Sequence, residues 1–335
     1  MVADTHLAAI ADAEGLSLAG VLGRVADKTT AFAHKATALL GHPVTAYADI
    51  AAVAADPSVD FAIVATPPDA RLEITRSLAV AGKPILMEKP MERTHAGALQ
   101  LATLCKVRSV PLGVCLQHRV RAASTALKAL VDTGALGEIF AVDIRVPWWR
   151  DQSYYAVPGR GSYARDGGGV VITQAIHTLD LALWLAGPVA SVQALSTTTP
   201  LHQLEAEDWA GALLRFENGA TGAFLATTAA FPGSAESLAL QGTKAHARLE
   251  GDLLGVSYLD GRQEHTGAAT ETGGGADPMA FSHGWHQSII EDFMRCVQTG
   301  GTPLASAASA LQTHALIDAI ARAAASGQTE KVQKP

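Results

Sequence analysis

The sequence predicts an α/β fold in two parts: a parallel α/β domain over residues 1–116 and an α+β domain over residues 117–335, with an open antiparallel sheet and C-terminal helices. Three observations predict it. As far as Gly113, helical periodicity alternates with short apolar runs, the pattern of parallel strands covered by helices. Beyond Gln117 most segments alternate apolar and polar residues, as strands with one solvated face do. The chain has 335 residues, of which 48% are hydrophobic and 17% charged, enough apolar material for two cores and too little charge for long disorder.

In the first part, Met1–Ile10 reads as a helix and Leu16–Leu22 as a strand. Thr29–Leu40 is a helix, Pro43–Tyr47 a short strand and Ile50–Ala55 a helix. The apolar run Phe61–Ala65 is a buried strand stopped by Thr66-Pro67-Pro68, because two prolines forbid both helix and ladder. A helix over Ala70–Ala81 ends at Gly82. Pro84–Met87 is the next strand, Thr94–Val107 a helix and Pro111–Leu116 the last strand. In the second part, helix Ser124–Thr133 precedes strands at Ile139–Val146, Ala190–Thr198, Trp209–Phe216, Thr221–Thr228, Ser237–Gln241, Ala245–Leu249 and Val256–Leu259. Asn218-Gly219 is a hairpin signal. Two helices, Gly284–Gln298 and Ala305–Ala325, close the chain.

A net charge of −7 with no basic run excludes nucleic acid as an expected partner and favours a small molecule. Cys105, Cys115 and Cys296 form no paired spacing, so reduced thiols in the cytoplasm are expected. Residues 1–14 lack the pattern of a signal peptide. Val170–Ala186 is interrupted by His177 and Asp180 and is too short to span a bilayer, so no membrane association is expected.

A parallel domain of this kind normally opens with a strand and a Gly-x-Gly-x-x-Gly/Ala turn that receives a dinucleotide pyrophosphate at a helix amino terminus. Here the first helix stands at the very start, with Ala3 at the third small position of that pattern, and the central strand and turn are missing. The expectation is a natural protein that begins upstream of Met1. At the end of the second strand position the chain carries Gly23-Arg24 where an acidic residue would hold the ribose of NAD. NADP is therefore favoured over NAD, unless Arg24 is an ordinary exposed charge.

Two segments carry chemistry. Lys89 follows the strand Pro84–Met87 at the carboxyl end, where ligands collect in parallel α/β sheets. Partly desolvated there, it either loses its ordinary pKa of about 10.4 and moves a proton, or stays charged and polarises a carbinol oxygen. Pro90 after it suits a cis turn. In the helix that starts near Val171, Thr173, His177, Asp180 and Trp184 fall on one stripe of an otherwise apolar surface. His177 titrates near neutral pH and suits transfer of a hydroxyl proton, with Gly167-Gly168-Gly169 before it permitting close backbone approach. Asp180 reads as a structural partner or as the group that sets the His177 tautomer. Trp148 to Arg165 concentrates aromatics and arginines; Trp149, Tyr155, Arg160 and Tyr163 are expected to bind a sugar or related ring, the alternative being an oligomer contact or a packed loop. His283 and His286 form half a metal set with no third ligand near, and no metal is expected.

From His6 onward the chain resembles the Gfo/Idh/MocA oxidoreductase family. The resemblance rests on Ala65-Thr66-Pro67-Pro68, on Ala81-Gly82-Lys83-Pro84-Ile85-Leu86-Met87-Glu88-Lys89-Pro90, and on the run from Asp166 to Asp180, in that order. It implies a Rossmann domain followed by an open antiparallel sheet, with Thr66, Pro67, Glu88, Lys89 and Gln117 lining the cleft for NAD or NADP and Lys89 catalytic. It further implies hydride transfer at a secondary alcohol or ketone of a sugar, cyclitol or polyol, with Lys89 and His177 in proton transfer. A dinucleotide-sensing regulator of the same fold is the alternative, and retention of both residues favours the enzyme. The chain departs from family patterns at Thr173, where inositol-dehydrogenase-like members carry an aspartate four residues before the histidine, and at Arg71, where many relatives carry histidine. An open sheet face needs a cover, so a homodimer or homotetramer is expected.

Overall fold

The computed structural model describes residues 2–268 and 282–334 in two compact units. The first comprises Met1–Met91, Leu99–Cys115 and Ser282–Ala307; the second comprises Glu92–Ala98, Leu116–Phe281 and Ala308–Pro335. The chain thus leaves the first unit after Cys115 and re-enters it at Ser282, and the division is not a single cut at residue 116.

The first unit begins with α1 (Val2–Asp12), which buries His6, Leu7 and Ala9. A parallel pair, β1 (Gly20–Val21) and β2 (Thr45–Ala46), flanks α2 (Ala26–Leu40) in sequence. Next comes α3 (Ile50–Ala55), started by the Asp49 carboxylate accepting from the Ala52 N–H at 2.8 Å. Three further parallel strands, β3 (Ala62–Val64), β4 (Ile85–Met87) and β5 (Leu112–Val114), lie in that order, connected by α4 (Arg71–Val80) and α5 (His95–Val107). Among the described residues no strand joins the two sheets. The crossovers make both sheets parallel, and each strand of β4 and β5 is buried throughout, as an apolar run without alternation requires.

The second unit contributes α6 (Ala122–Asp132) and β6 (Ile139–Pro147), then α7 (Tyr163–Asp166) and α8 (Ile176–Ala186). Its remaining strands are β7 (Val189–Thr197), β8 (Trp209–Phe216), β9 (Thr221–Thr227), β10 (Ser237–Gly242), β11 (Ala245–Glu250), β12 (Leu253–Tyr258) and β13 (Gln263–Gly267). In the first unit, α9 (Gly284–Thr299) packs on α1, with His283 Nε2 2.7 Å from Asp12 Oδ2 and Phe293 against Phe61. The chain then adds to the β5 edge, where Val114 N–H donates to Ala305 O at 2.8 Å, before α10 (Ala307–Ser326) and β14 (Glu330–Lys331) complete the second unit.

One nine-stranded sheet results, in the order β13-β12-β11-β10-β6-β9-β8-β7-β14. Asn218-Gly219 turns β8 into β9, as the sequence pattern predicts. The sheet is mixed rather than wholly antiparallel: β6 runs parallel to β9, with Ile144 opposite Phe224. That pairing joins strands far apart in sequence, and no local pattern announces it. β13 and β14 are additional to the expected strands; β13 is exposed along its length and β14 has two residues, so neither carries an apolar alternation.

Helix α8 covers one face of this sheet against β6 and β10. The stretch Tyr163–Ala186 has the length and composition to cross a membrane, and 89% of its apolar window is buried inside the fold, which makes it a core helix. Asp180, the one acid of α8, is fully buried and accepts from Arg119 Nε at 2.7 Å, Arg119 Nη2 at 2.6 Å and Thr313 Oγ1 at 3.1 Å. Asp180 is therefore a structural partner of Arg119. All three cysteines are free and buried.

Candidate active site

Lys89 sits where β4 ends, half-buried on a turn whose Lys89-Pro90 bond is cis. Two side chains hold that turn. Arg71, the first residue of α4 and almost fully buried, donates from Nε and Nη2 to Thr66 O at 3.0 and 2.7 Å, and from Nη1 to Glu88 O and Pro90 O. One planar guanidinium thus ties the loop after β3 to the turn after β4 through carbonyls on both sides of Lys89. Its fork of N–H donors does what a single ammonium cannot. Glu88 supplies the second hold. Its Oε2 accepts from the Lys89 N–H at 3.1 Å, and its Oε1 lies 2.8 Å from His6 Nε2 and 3.6 Å from His286 Nε2. Burial by itself pushes the Glu88 carboxyl up, but the imidazoles of His286 and His6 outweigh it and hold it well below its ordinary value.

His6, Glu88 and His286 bring their ligand atoms within 4.8 Å of one another, the spacing of a His-His-Glu metal set. Of the half set His283 and His286 noted in the sequence only His286 belongs to this cluster, since His283 turns to Asp12. The two partners that the half set did not supply are Glu88 and His6, the latter on a helix 280 residues from His286 in the chain. Around the Glu88 carboxylate stand His6 Nε2 and the Lys89 N–H at hydrogen-bond distance and a second imidazole, His286, at 3.6 Å.

The other candidates of the first unit lie at strand ends or at the start of α1. Thr66 is partly buried after β3, and its Oγ1 has no hydrogen-bond partner among the described residues; Pro67 beside it is exposed. Ala3, Gly23 and Arg24 are exposed, the last two just beyond β1. In the second unit, Gln117 is buried at the start of a short 3-10 turn (Gln117–Val120), with Oε1 likewise lacking a partner among the described residues. An orphaned hydroxyl and an orphaned amide oxygen are groups that a polar ligand completes, and to that extent these residues fit a dinucleotide.

His177 is buried on α8, one residue into the helix and directly after a π-helical turn (Val171–Ala175). That wide turn breaks the regular stripe expected for Thr173, His177, Asp180 and Trp184, and such turns gather at functional sites. Thr173 Oγ1 donates to Gly169 O at 2.6 Å and touches the Gln174 amide, so its hydroxyl is engaged by its own helix. The glycine triplet permits the close backbone approach expected of it. A Cβ on Gly169 would lie 1.7 Å from Glu207 O, and one on Gly167 would lie 2.5 Å from Arg93 O, so the close approach is to the protein's own backbone. Glu207 then accepts from Gly169 N–H at 3.0 Å and Val171 N–H at 3.2 Å, capping the helix. Burial pushes its carboxyl up.

Beside His177 lies a ring that the sequence did not single out. His118, on the 3-10 turn, stacks on it with centroids 4.7 Å apart and planes 23° from parallel. The run Gln117-His118-Arg119-Val120-Arg121, dense in polar groups directly after a buried strand, was the available signal.

The aromatic and arginine segment folds into a cluster of its own. Tyr154 lies between two guanidinium groups, Arg160 at 4.3 Å and Arg150 at 5.4 Å from the ring centroid. Tyr155 bonds Thr228 Oγ1 at 2.7 Å, and its ring meets His202 edge-on; Trp149 meets Phe231 likewise at 5.2 Å. His202 sits between Asp208 and Arg150 O, at 2.6 and 2.8 Å. The structure thus joins Trp149, Tyr155 and Arg160 in one network, whereas Tyr163 stands on α7 and is 53% exposed.

Residues 1–116 match the model of an oxidoreductase family with an NAD-binding Rossmann fold, and residues 124–248 match a Gfo/Idh/MocA C-terminal domain. The chain belongs to the Gfo/Idh/MocA oxidoreductase family. It is similar to D-apiose dehydrogenase of Rhizobium rhizogenes, 28% identical over 300 residues that cover 84% of this chain and 82% of that protein. It is also similar to levoglucosan dehydrogenase of Pseudarthrobacter phenanthrenivorans, 26% identical with coverage of 81% and 79%. Among solved structures, the WlbA dehydrogenase of Bordetella pertussis in complex with NADH and UDP-GlcNAcA matches with a TM-score of 0.80 at 26% identity, covering 100% of this chain and 97% of that one. As a Gfo/Idh/MocA oxidoreductase the chain has an NAD-binding Rossmann domain and a mixed-sheet domain. Arg71 is a clamp on the turn that carries Lys89, and the Thr173 hydroxyl donates to Gly169 O.

The Glu88 cluster sets a pH expectation. A carboxyl whose folded pKa is depressed contributes stability that is present above its unfolded value of 4.5 and is lost as pH falls through the folded value. The Tm of the wild type should therefore drop below about pH 4.5 more steeply than that of Glu88→Gln, as scanning calorimetry against pH would read; equal slopes would remove Glu88 from the account.

Proposed function

We propose that this oxidoreductase transfers a hydride between a nicotinamide dinucleotide and a secondary alcohol or ketone of a sugar, cyclitol or related polyol. The observation that carries the reading is the half-buried Lys89 on its braced turn at the carboxyl end of β4, where a parallel α/β sheet presents ligands. The similarity to proteins named for D-apiose and levoglucosan supports the substrate class.

When bound, the nicotinamide supplies the hydride acceptor or donor. The protein does the rest. Lys89 Nζ holds the carbinol oxygen through a charge-assisted hydrogen bond, which favours oxygen as negative charge grows on it. The His177 imidazole takes the hydroxyl proton in oxidation and returns it in reduction, so that alcohol and oxidised dinucleotide become ketone, reduced dinucleotide and one proton. Thr66 and Gln117, each with an unpartnered side-chain oxygen among the described residues, would hold the dinucleotide, with Ala3 and Gly23 close to its phosphates and ribose and Glu88 acting through the turn it braces. Trp149, Tyr155 and Arg160 would pack and orient the sugar ring, with Tyr163 and Thr173 at the edge of that surface. Arg24, exposed beyond β1, favours NADP over NAD through its charge. The open face of the nine-stranded sheet exposes Leu195 and Leu213, at 68% and 63%, on neighbouring strands, and a second copy covering it makes a homodimer or homotetramer. Three buried free thiols support a reducing, cytoplasmic location.

Reduced-nicotinamide absorbance over a panel of sugars and polyols tests the reading: turnover should occur and should fall by about 10²-fold or more in Lys89→Ala. Dinucleotide binding without turnover across the panel would favour the non-catalytic sensor. Arg24→Glu should lower the ratio of NADP to NAD turnover by about tenfold, the value of one charge-assisted contact, and an unchanged ratio would make Arg24 an ordinary surface charge. In sedimentation velocity the wild type should run as a dimer or tetramer and Leu213→Glu as a smaller species; a monomeric wild type would overturn the assembly.

A further inference from the structure

We propose that His118 is a positioning residue for His177, a neutral stacked ring that takes the place of the carboxylate partner this chain lacks. The proposal rests on the reading of His177 as the proton-transfer group.

The geometry assigns the protonation of His118. Arg121 Nη2 lies 2.7 Å from His118 Nε2, and a guanidinium offers only N–H donors, so Nε2 must accept. The ring proton is then on Nδ1 and the ring is neutral. Arg121 is itself fixed: Nη1 meets Glu236 Oε1 at 2.5 Å, and Glu236 Oε2 accepts from Trp148 Nε1 at 3.2 Å. All four side chains of this relay are buried. Glu236 Oε1 also lies 3.9 Å from His118 Nε2, but that oxygen is bonded to Arg121 Nη1, and protonating His118 at Nε2 would put two donors face to face, so the network holds the neutral form.

The neighbouring residue sets the other coordinate. Arg119 grips Asp180 through two bonds, and Asp180 lies one helical turn after His177 on α8. Two consecutive residues of one turn, His118 and Arg119, therefore engage residues 177 and 180 of one helix. The His177 ring plane is defined by the stack, at 4.7 Å and 23°. The charge state of the stack matters as much as its plane. When His177 takes a proton it faces a neutral π surface, which attracts a cation, whereas a second imidazolium there would repel it. Thr173 cannot do this work, since its hydroxyl donates to Gly169 O.

Two measurements on the full chain test the proposal. In nitrogen-15 long-range correlation spectra of the wild type near neutral pH, assigned with His118→Phe and His177→Asn, His118 should show the proton on Nδ1; a proton on Nε2, or on both nitrogens, overturns it. Kinetics with the best substrate of the sugar and polyol panel form the second. His118→Ala should lower kcat by about 10²-fold with KM nearly unchanged, His118→Phe, which keeps a flat ring, should recover most of that loss, and His118→Ala should cost nothing further in a His177→Asn background. A loss of equal size in both backgrounds, or no recovery by phenylalanine in a folded variant, marks a merely structural role and ends the proposal. Absence of turnover in the wild type would instead sink the enzymatic reading, and the spectra would still decide the state of His118.

Discussion

A guanidinium buried against carbonyl oxygens is the interaction on which the first unit's reactive turn depends. Arg71 spends its donors on Thr66, Glu88 and Pro90. Taking a cation out of water costs several kcal/mol, and the cost is tolerable only where every donor finds an acceptor. Strand ends supply such acceptors, because the last carbonyls of β3 and β4 have no further ladder to join. Burying one arginine there converts two loose strand exits into a single braced unit, and Lys89 is the residue between two of the carbonyls it grips. Glu88 adds an opposite charge on the same turn, directed to His6 and His286. The helices that carry these histidines, α1 and α9, come from opposite ends of the chain, so the turn is also where the first unit is tied together.

The second unit uses the same device with different partners. Arg119 and Asp180 form a fully buried pair with two parallel bonds, and Arg121 and Glu236 form another. Such pairs add little to stability against a well-packed apolar alternative, but removing one member is costly, which makes them good at enforcing a single arrangement. What they enforce here is the 3-10 turn over Gln117–Val120, and through it the rings of His118 and His177. In both units the candidate reactive side chain is therefore held by arginines that do not themselves react.

How much of this was legible in the sequence follows from the range of each interaction. The parallel strands were legible because a strand buried on both faces is an apolar run, and β4 and β5 are such runs. The hairpin at Asn218-Gly219 was legible because its turn chemistry is local. The parallel pairing of β6 with β9 was not, since it joins residues about eighty apart and leaves no local mark. Nor was the return of Ser282–Ala307 to the first unit, where the decisive contacts are made with α1 and β5. For the site, strand position and motif indicated Lys89 and His177, but not their supports. Arg71 looked like a departure without a role until its partners, the carbonyls of Thr66, Glu88 and Pro90, were known. The glycine triplet announced a close approach, and only the fold shows that Glu207 and Arg93 are what approach.

Thr173 stands where the family resemblance implies an aspartate, and its hydroxyl donates to Gly169 O. An aspartate four residues before His177 would act on it through charge, fixing a tautomer and favouring the imidazolium. A stacked ring acts through shape and through the absence of charge, and the polar groups that keep it neutral lie on another segment, at Arg121 and Glu236. The two solutions make different demands on the surroundings. A carboxylate partner can work from within one helix, whereas the stacked arrangement needs the turn after residue 116, the helix α8 and the segment before β10 to keep fixed positions. Buried ion pairs, expensive as sources of stability, are suited to that demand. One pair joins the turn over Gln117–Val120 to Asp180 on α8 and the other fixes Arg121 beside His118, so the position of the His177 ring is set from a neighbouring segment as well as from its own helix.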